Sequence, residues 1–382
     1  MTAATSDNIF ARILADLSAS GNLRSVPQGW DPERVVDMSS NDYLGLGADR
    51  AMQEEFLADA SRRLIPLTSS ASRLLCGRQD EYHSLESLLA GLYGRPALLF
   101  NSGYHANTGL VSSIGAMPRT LIVADRLVHA SIIDGIVLSR APFKRFRHND
   151  INHLSDILAK EAGNYDRVLV IVESVYSMDG DRADIAALVE VKRLYPNVML
   201  YVDEAHAFGV EGPQGLGLTL SSGVGESVDI IVGTFGKACA SMGAFAAVAH
   251  EVREYLVNTT RSFIFSTALP PLTAAWTEWV IRRMLTLDDR RDHLRRLGMR
   301  LHSILAPMQP DADITPGHIQ PLLTYDARRA LDLSARLLER GYKVLPIRTP
   351  TVPPGTERLR FSLSASITLQ EIDGLKYVLD EI

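Results

Sequence analysis

Asp203 and His206 stand in the stretch YVDEAHAFGV (Tyr201–Val210), and Lys237 stands in VGTFGKACA. The string DEAH also occurs where proteins hold magnesium against ATP, so nucleotide hydrolysis is the first chemistry to weigh. That chemistry requires a phosphate loop of the pattern G-x-x-x-x-G-K-[ST]. Ile231 stands where the leading glycine belongs, and Ala238 replaces the metal-binding hydroxyl. Without the glycine the loop cannot wrap phosphates, and without the hydroxyl the metal loses a ligand. No other segment fits the pattern better, and nucleotide hydrolysis is excluded.

The lysine suits a different chemistry. Flanked by small residues in GTFGKACAS, Lys237 can approach a carbonyl compound closely and join it as an imine. A carboxylate opposite, Asp203, would keep a pyridine nitrogen protonated and make the ring an electron sink. His206 is placed to hydrogen-bond the phenolic oxygen of such a ring. FNSGYHAN (Phe100–Asn107) follows an apolar run and opens a helix, so the backbone amides of Ser102, Gly103 and Tyr104 form a phosphate seat at a helix N-terminus. ADRLVHASIIDG places His129 after another apolar run, where a flat imidazole can stack on a ring. Lys237, Asp203, His206 and His129 are thus the catalytic candidates, and the cofactor they fit is pyridoxal 5'-phosphate.

These groups need a scaffold that brings loops together. PALLFNS, TLIVADR, RVLVIVES, NVMLYVDEA, DIIVGTFG and GAFAAVAH read as strands, several of them apolar on both faces as buried parallel strands are. Amphipathic stretches such as HNDINHLSDILAKEAG and IAALVEVKRLYP alternate with them. That alternation predicts an α/β fold with a doubly wound, mostly parallel sheet. In such sheets chemistry collects beyond the carboxyl ends of the strands. After STALPPLT the texture changes to a long arginine-rich helical stretch, roughly 274–305, and then to helix, strand, proline-rich turn and strand. The expected division is an N-terminal helix and arm over 1–50, a large domain over 51–275 and a smaller α+β domain over 276–382. The N-terminal helix carries Ile9, Phe10, Ile13, Leu14 and Leu17 on one face, with Ser6 or Asp7 as its cap.

The 382 residues are 46% hydrophobic and 22% charged, with a net charge of −6, which argues against binding a phosphate backbone. Two cysteines cannot build a disulfide framework, which suits a reducing compartment. There is no basic segment ahead of an apolar core at the N-terminus, and no apolar run of the roughly 18 residues that a membrane span needs. A cytoplasmic protein with no membrane and no nucleic-acid partner is expected. The histidines show no paired ligand spacing, so no metal is expected.

Nine motifs in order carry a resemblance that runs nearly end to end. They are SSNDYLGLG, SRLLCGRQDEYHSLE, FNSGYHANTG, DRLVHASIIDG, ESVYSMDGD, VDEAHAFGVEGPQGLG, GTFGKA, FIFSTALPP and TPTVPPGTERLRFSLSA. With them the chain resembles the α-oxoamine synthase family of pyridoxal-phosphate enzymes, most of all the branch that makes the biotin precursor. The resemblance implies a transferase fold of type I and a decarboxylative condensation of L-alanine with a pimeloyl thioester, carried by coenzyme A or an acyl carrier protein. It implies that Lys237 bears the cofactor, that Ser177 and Thr234 complete the cofactor's hydrogen bonds, and that Thr267 reaches the cofactor of the second subunit in a homodimer. Asn41 and Arg360 match contacts to the amino-acid carboxylate, and Thr351 and Arg24 match the acyl side. Ser177 also suits a simple turn with Met178, Asp179 and Gly180, and Arg360 also suits pairing with a surface acid. TSSASRLLCG (Thr68–Gly77) departs from the glycine-rich stretch of the biotin-precursor branch, and CGRQDEYHSLE leans toward relatives that join glycine to acetyl-CoA. That condensation, or another within the family, is the alternative reaction; outside the family the alternative is an aminotransferase.

Overall fold

A computed structural model describes residues 8–26, 29, 31 and 34–381. The chain packs as two compact units. The larger comprises Asn41–Ser177 and Asp181–Asp292; the smaller takes in the described residues up to Ser40, Met178–Gly180 and the chain from His293 onward.

The larger unit is built on a seven-stranded sheet. Its strands are β1 (Ala97–Phe100), β2 (Thr120–Asp125), β3 (Phe143–Phe146), β4 (Arg167–Glu173), β5 (Val198–Asp203), β6 (Ile230–Thr234) and β7 (Ala244–Val248), in the order β1-β7-β6-β5-β4-β2-β3. β3, β2, β4, β5 and β6 pair in parallel, and β7 runs antiparallel to both β1 and β6. Six strands therefore point the same way. Every residue of β2, β6 and β7 is buried, because helices cover both faces, and alternation gives way to continuous apolar runs. β3 (FKRF) was not among the expected strands. It is an edge strand with three exposed residues, so it lacks the apolar run that marks the others.

On one face, the helices Gly103–Gly115 and Ala130–Ser139 bury Ala106, Leu110, Ile114, Ile132 and Ile136 against the strands. A Cβ on Gly135 would lie 2.8 Å from the Val111 Cβ and 3.2 Å from the Asn107 carbonyl oxygen, so glycine lets the two helices approach. Asn107 and Ser131 lie on these two helices and are brought together by that approach.

The end of β2 is tied down by charge. Asp125 is fully buried and accepts hydrogen bonds from the Leu127 N–H (2.8 Å) and the Asn149 N–H (2.9 Å). His148 bridges it to Asp181, with Nδ1 3.0 Å from Asp125 and Nε2 2.7 Å from Asp181. Burial disfavours the imidazolium, but the hydrogen bonds and charges of the two carboxylates outweigh that and push His148 up to about 10. A raised histidine contributes stability that is complete below its ordinary value of about 6.5 and is lost as pH rises through the folded value. We therefore expect His148→Leu to cost ~3 kcal/mol at neutral pH by stranding the two carboxylates. The wild-type decline in stability between pH 6.5 and about 10 should flatten in the variant. Denaturant unfolding across that range checks both.

In the smaller unit, Arg358–Ser362 is the central strand of an antiparallel sheet, flanked by Leu345–Ile347 and Ile319–Leu323. The helix Ala327–Glu339 is capped by Asp326, which accepts from the Arg329 N–H. The N-terminal helix is Ile9–Ala19, capped by Asn8; the expected caps Ser6 and Asp7 lie outside the described residues. Its apolar face is exposed in this chain, with Phe10 73% and Ile9 56% accessible. No described helix is long and apolar enough to cross a membrane.

The stretch expected as one helix is two, Pro271–Met284 and Asp288–Leu305, with the break at 285–287. The units also differ from the division at 275. Arg290 donates to the Leu44 carbonyl and pairs with Asp49 at 2.7 Å, and buried Arg291 donates to the carbonyls of Gly209 and Met284, so this arginine-rich segment belongs to the larger unit through Asp292.

Candidate active site

The carboxyl ends of β1, β2, β4, β5 and β6 supply the chemistry-bearing side chains of the larger unit. Asp203 ends β5 and Glu173 ends β4, directly opposite it in register. Lys237 lies three residues beyond β6, in a loop closed by Phe235 N–H to the Gly243 carbonyl (2.9 Å) and Ala240 N–H to the Lys237 carbonyl (2.9 Å). Thr234 steadies the same loop. Its hydroxyl donates to the Gly243 carbonyl at 3.1 Å and accepts the Gly236 N–H at 3.3 Å.

The Lys237 Nζ is 2.8 Å from His206 Nε2, and the other ring nitrogen, Nδ1, is 2.6 Å from the Tyr43 hydroxyl. Tyr43 donates in turn to Asn41 Oδ1 at 3.0 Å. Sequence reasoning named Lys237, His206 and Asn41 but missed Tyr43, which lay within SSNDYLGLG. Asp42 shapes that loop by accepting the Leu46 N–H (2.9 Å) and the Gly47 N–H (2.8 Å), and burial holds its carboxyl above the usual range.

Asp203 is 3% exposed. Its Oδ1 accepts the Ala205 N–H at 2.9 Å and its Oδ2 accepts from Asn107 Nδ2 at 2.7 Å. Asn107 also donates to Ser131 Oγ (3.0 Å) and accepts from the Tyr201 hydroxyl (2.6 Å). Ser131 Oγ is 2.7 Å from His129 Nδ1, which also accepts the Ser131 N–H at 3.2 Å. His129 itself is exposed at the start of its helix, while protein packed around the inner edge of the ring lowers its basicity; Asp203 opposes this shift and Lys237 reinforces it. Asn107 and Ser131 were also missed, though both sit inside motifs quoted above.

Glu204, the neighbour of Asp203, is structural. It is fully buried and accepts from Ser174 Oγ (2.7 Å), Leu218 N–H (3.1 Å) and Thr219 N–H (2.6 Å). Burial raises its carboxyl, and these donors oppose the rise. Gly217, at φ +100°, leaves room for it, since a Cβ there would lie 2.7 Å from Glu204 Oε2.

Ser102 caps the helix Gly103–Gly115, accepting the His105 N–H at 3.2 Å. A Cβ on Gly103 would be 3.6 Å from Thr234 Oγ1, so this helix start abuts the end of β6. Tyr104 bonds Asp134 through its hydroxyl. Ser177 lies half-buried in a turn. Thr267 is exposed; its carbonyl accepts from Asn101 Nδ2 at 2.6 Å, and it bridges to Ser72.

The stretch that departs from a glycine-rich pattern packs beside Thr267. Ser69 Oγ donates to the Ala268 carbonyl at 3.0 Å, and the Ala268 N–H donates to the Ala71 carbonyl at 2.9 Å. Ser70 stands at φ +51°, a conformation that favours glycine. Ser70→Gly should therefore raise stability, by ~0.5–1 kcal/mol. A denaturation midpoint that falls instead would show the hydroxyl to be worth more than the relieved strain.

The remaining expected residues belong to the smaller unit. Arg24 and Thr351 come together, with Arg24 Nη2 3.0 Å from Thr351 Oγ1. Arg360 is buried on the central strand, opposite Leu345 and Pro321.

Pyridoxal phosphate fits the residues of the larger unit. They offer an amine for an aldehyde at Lys237, a buried carboxylate for a ring nitrogen at Asp203, and a capped helix start for a phosphate. Glu173 is 3% exposed and its Oε1 has no hydrogen-bond partner, a buried polar atom left for a bound group to satisfy. Burial and the charge of Asp203 hold Glu173 well above the usual carboxylate range, with Lys237 opposing. Cys239 is buried, and burial pushes its thiol up, so it is no nucleophile. No cluster able to hold a metal occurs among the described residues.

Comparison with known proteins agrees with this fold and with the cofactor. The family described as aminotransferase class I and II matches residues 33–378. A Pasteurella multocida relative is 46% identical over 378 residues, covering 97% of each chain. An 8-amino-7-oxononanoate synthase of Haemophilus ducreyi is 44% identical over 382 residues, covering 96% of this chain and 98% of that one. Among solved structures, a serine palmitoyltransferase variant from S. paucimobilis with a bound PLP–myriocin aldimine is similar at TM-score 0.86 and 28% identity, covering 98% of this chain and 96% of that one. An 8-amino-7-oxononanoate synthase from Francisella tularensis is similar at TM-score 0.76 and 27% identity, covering 91% and 98%. With its mostly parallel sheet, its Lys237–Asp203 site and these relatives, the chain belongs to the aminotransferase class I and II family, among the α-oxoamine synthases.

Proposed function

We propose that this chain is a pyridoxal-phosphate-dependent acyltransferase that condenses L-alanine with a pimeloyl thioester, releasing carbon dioxide and a free thiol and yielding 8-amino-7-oxononanoate, the biotin precursor. The observation that carries the reading is the meeting of the Lys237 amine, the His206 ring and the buried Asp203 carboxylate at neighbouring strand ends, in a chain 44% identical to a synthase of that name.

Bound pyridoxal phosphate supplies an aldehyde for an amine and a ring that draws electrons from the substrate α-carbon. Lys237 would hold the cofactor through its amine and would move the proton at the amino acid's α-carbon. Asp203 keeps the ring nitrogen charged, and Asn107 with the Ala205 N–H fixes its carboxylate. His206 contacts the ring's phenolic oxygen, with Tyr43 holding the imidazole from behind. His129 stacks on the ring. The backbone at Ser102, Gly103 and Tyr104 holds the phosphate, and Ser177 and Thr234 complete the cofactor's hydrogen bonds. Asn41 and Arg360 bind the amino-acid carboxylate, the arginine as a two-pronged donor. Arg24 and Thr351, joined at 3.0 Å, line the acyl side.

The working form is a homodimer in which Thr267 reaches the cofactor of the second copy. Support comes from the exposure of Leu67 (74%), Leu75 (79%) and Phe265 (70%) in the segments around Thr267 and Ser72, a density of bare apolar surface that asks for cover.

Thiol release tests the substrates. Alanine with pimeloyl-CoA should turn over, and glycine with acetyl-CoA should not. Faster turnover of the second pair would replace the reaction while keeping the family, and keto-acid release without free thiol would make the chain an aminotransferase.

A further inference from the structure

Asn107 has an orientation that its neighbours leave no choice about. Asp203 Oδ2, 2.7 Å away, is a carboxylate oxygen, so the Asn107 atom facing it must be the N–H donor. The amide oxygen then faces Tyr201, whose hydroxyl donates to it at 2.6 Å. The second N–H of the same nitrogen meets Ser131 Oγ at 3.0 Å, so that oxygen accepts. The serine has one proton left, and it points to His129 Nδ1 at 2.7 Å, where the Ser131 N–H also donates. Two donors converge on Nδ1, which must therefore be bare. All the intermediate groups are buried: Tyr201 and Ser131 are 0% exposed and Asn107 2%.

We infer that Asn107 and Ser131 are positioning residues that link Asp203 to His129 through a directed chain of hydrogen bonds, fixing that imidazole in its neutral form with the proton on Nε2. The link deepens the proposed reading, for it couples the carboxylate that holds a ring nitrogen to the ring that stacks on it. A neutral imidazole stacks beside a cationic ring without charge repulsion, and its single N–H is kept on the edge away from Ser131. Burial, with the Lys237 charge behind it, lowers the basicity of His129 in the same direction, and outweighs the opposing charges of Asp203 and Asp134.

The tautomer is measurable without turnover. In the full-length chain labelled with ¹⁵N-histidine, two-bond ¹H–¹⁵N correlation distinguishes protonated from bare ring nitrogens. The spectrum is recorded on the cofactor-free chain and again after adding pyridoxal phosphate. His129 is assigned as the signal set missing from His129→Gln. At neutral pH, wild type should show a bare Nδ1 and a protonated Nε2 for His129. In Ser131→Ala, which loses the hydroxyl donor at 2.7 Å and keeps only the longer backbone N–H at 3.2 Å, both nitrogens should move part of the way toward averaged shifts. In Asp203→Asn the same averaging should appear, although Asp203 does not hydrogen-bond His129, because Asn107 is then free to turn over. Melting curves establish that each variant is folded.

A wild-type His129 that carries its proton on Nδ1, or is an imidazolium at neutral pH, overturns the inference by itself and needs no variant. Ser131→Ala or Asp203→Asn with an unchanged His129 signature overturns the link. The cofactor-free measurement is independent of pyridoxal phosphate, so a failure of the proposed function and a failure of the link give different results.

Discussion

Lys237→Ala should lower turnover by at least about 10⁴-fold, the upper range for removing a positioned acid–base group, since the same amine also holds the cofactor. The loss is expected in kcat, because Lys237 acts on the α-carbon after the amino acid has bound. Stability should change little. The Lys237 side chain is half-buried in a loop whose closure uses backbone hydrogen bonds, those from Phe235, Ala240 and Ser241. His206 keeps its Tyr43 contact at 2.6 Å and so stays oriented. Steady-state kinetics paired with a melting curve check this. A variant that keeps a tenth or more of wild-type turnover would remove Lys237 from the chemistry.

Asp203→Asn isolates charge from shape. The amide occupies the same volume and can still accept the Ala205 N–H, but it cannot hold a pyridinium. Electrostatic stabilisation of this kind is worth about 10²–10³-fold per group, and the expected loss in kcat is about 10³-fold. Removing the charge also relieves Glu173, which Asp203 holds upward, so the variant should be no less stable than wild type. Full activity in Asp203→Asn would mean that the ring nitrogen needs no anion. A loss confined to KM would make Asp203 a binding group alone.

The scaffold was legible where burial leaves a one-dimensional mark. β1, β2, β4, β5, β6 and β7 each read as apolar runs because both of their faces are covered. β3 left no mark, since Lys144 and Arg145 face solvent at the sheet edge. The break between Met284 and Asp288 was hidden too, because Leu285, Thr286 and Leu287 carry no glycine or proline to announce a helix end. At the site, Lys237, Asp203, His206 and His129 could be picked out because their residue types carry chemistry and they follow apolar runs. Tyr43, Asn107, Ser131 and Glu173 could not. Each is an ordinary polar residue that gains meaning only from a partner far along the chain, such as Tyr43 against His206 or Asn107 against Asp203. Their one signal was position, for all four lay within the motifs that carried the resemblance. Arg24 and Thr351, 327 residues apart, are the opposite case: named together from the resemblance alone, they meet at 3.0 Å.

The central claim is that Lys237 is the amine that takes pyridoxal phosphate. The full-length protein, incubated with pyridoxal phosphate, reduced with borohydride and digested, should carry the phosphopyridoxyl mass on the peptide containing Lys237, with none on that peptide in Lys237→Ala. A label confined to other lysines, or no label, would contradict the account.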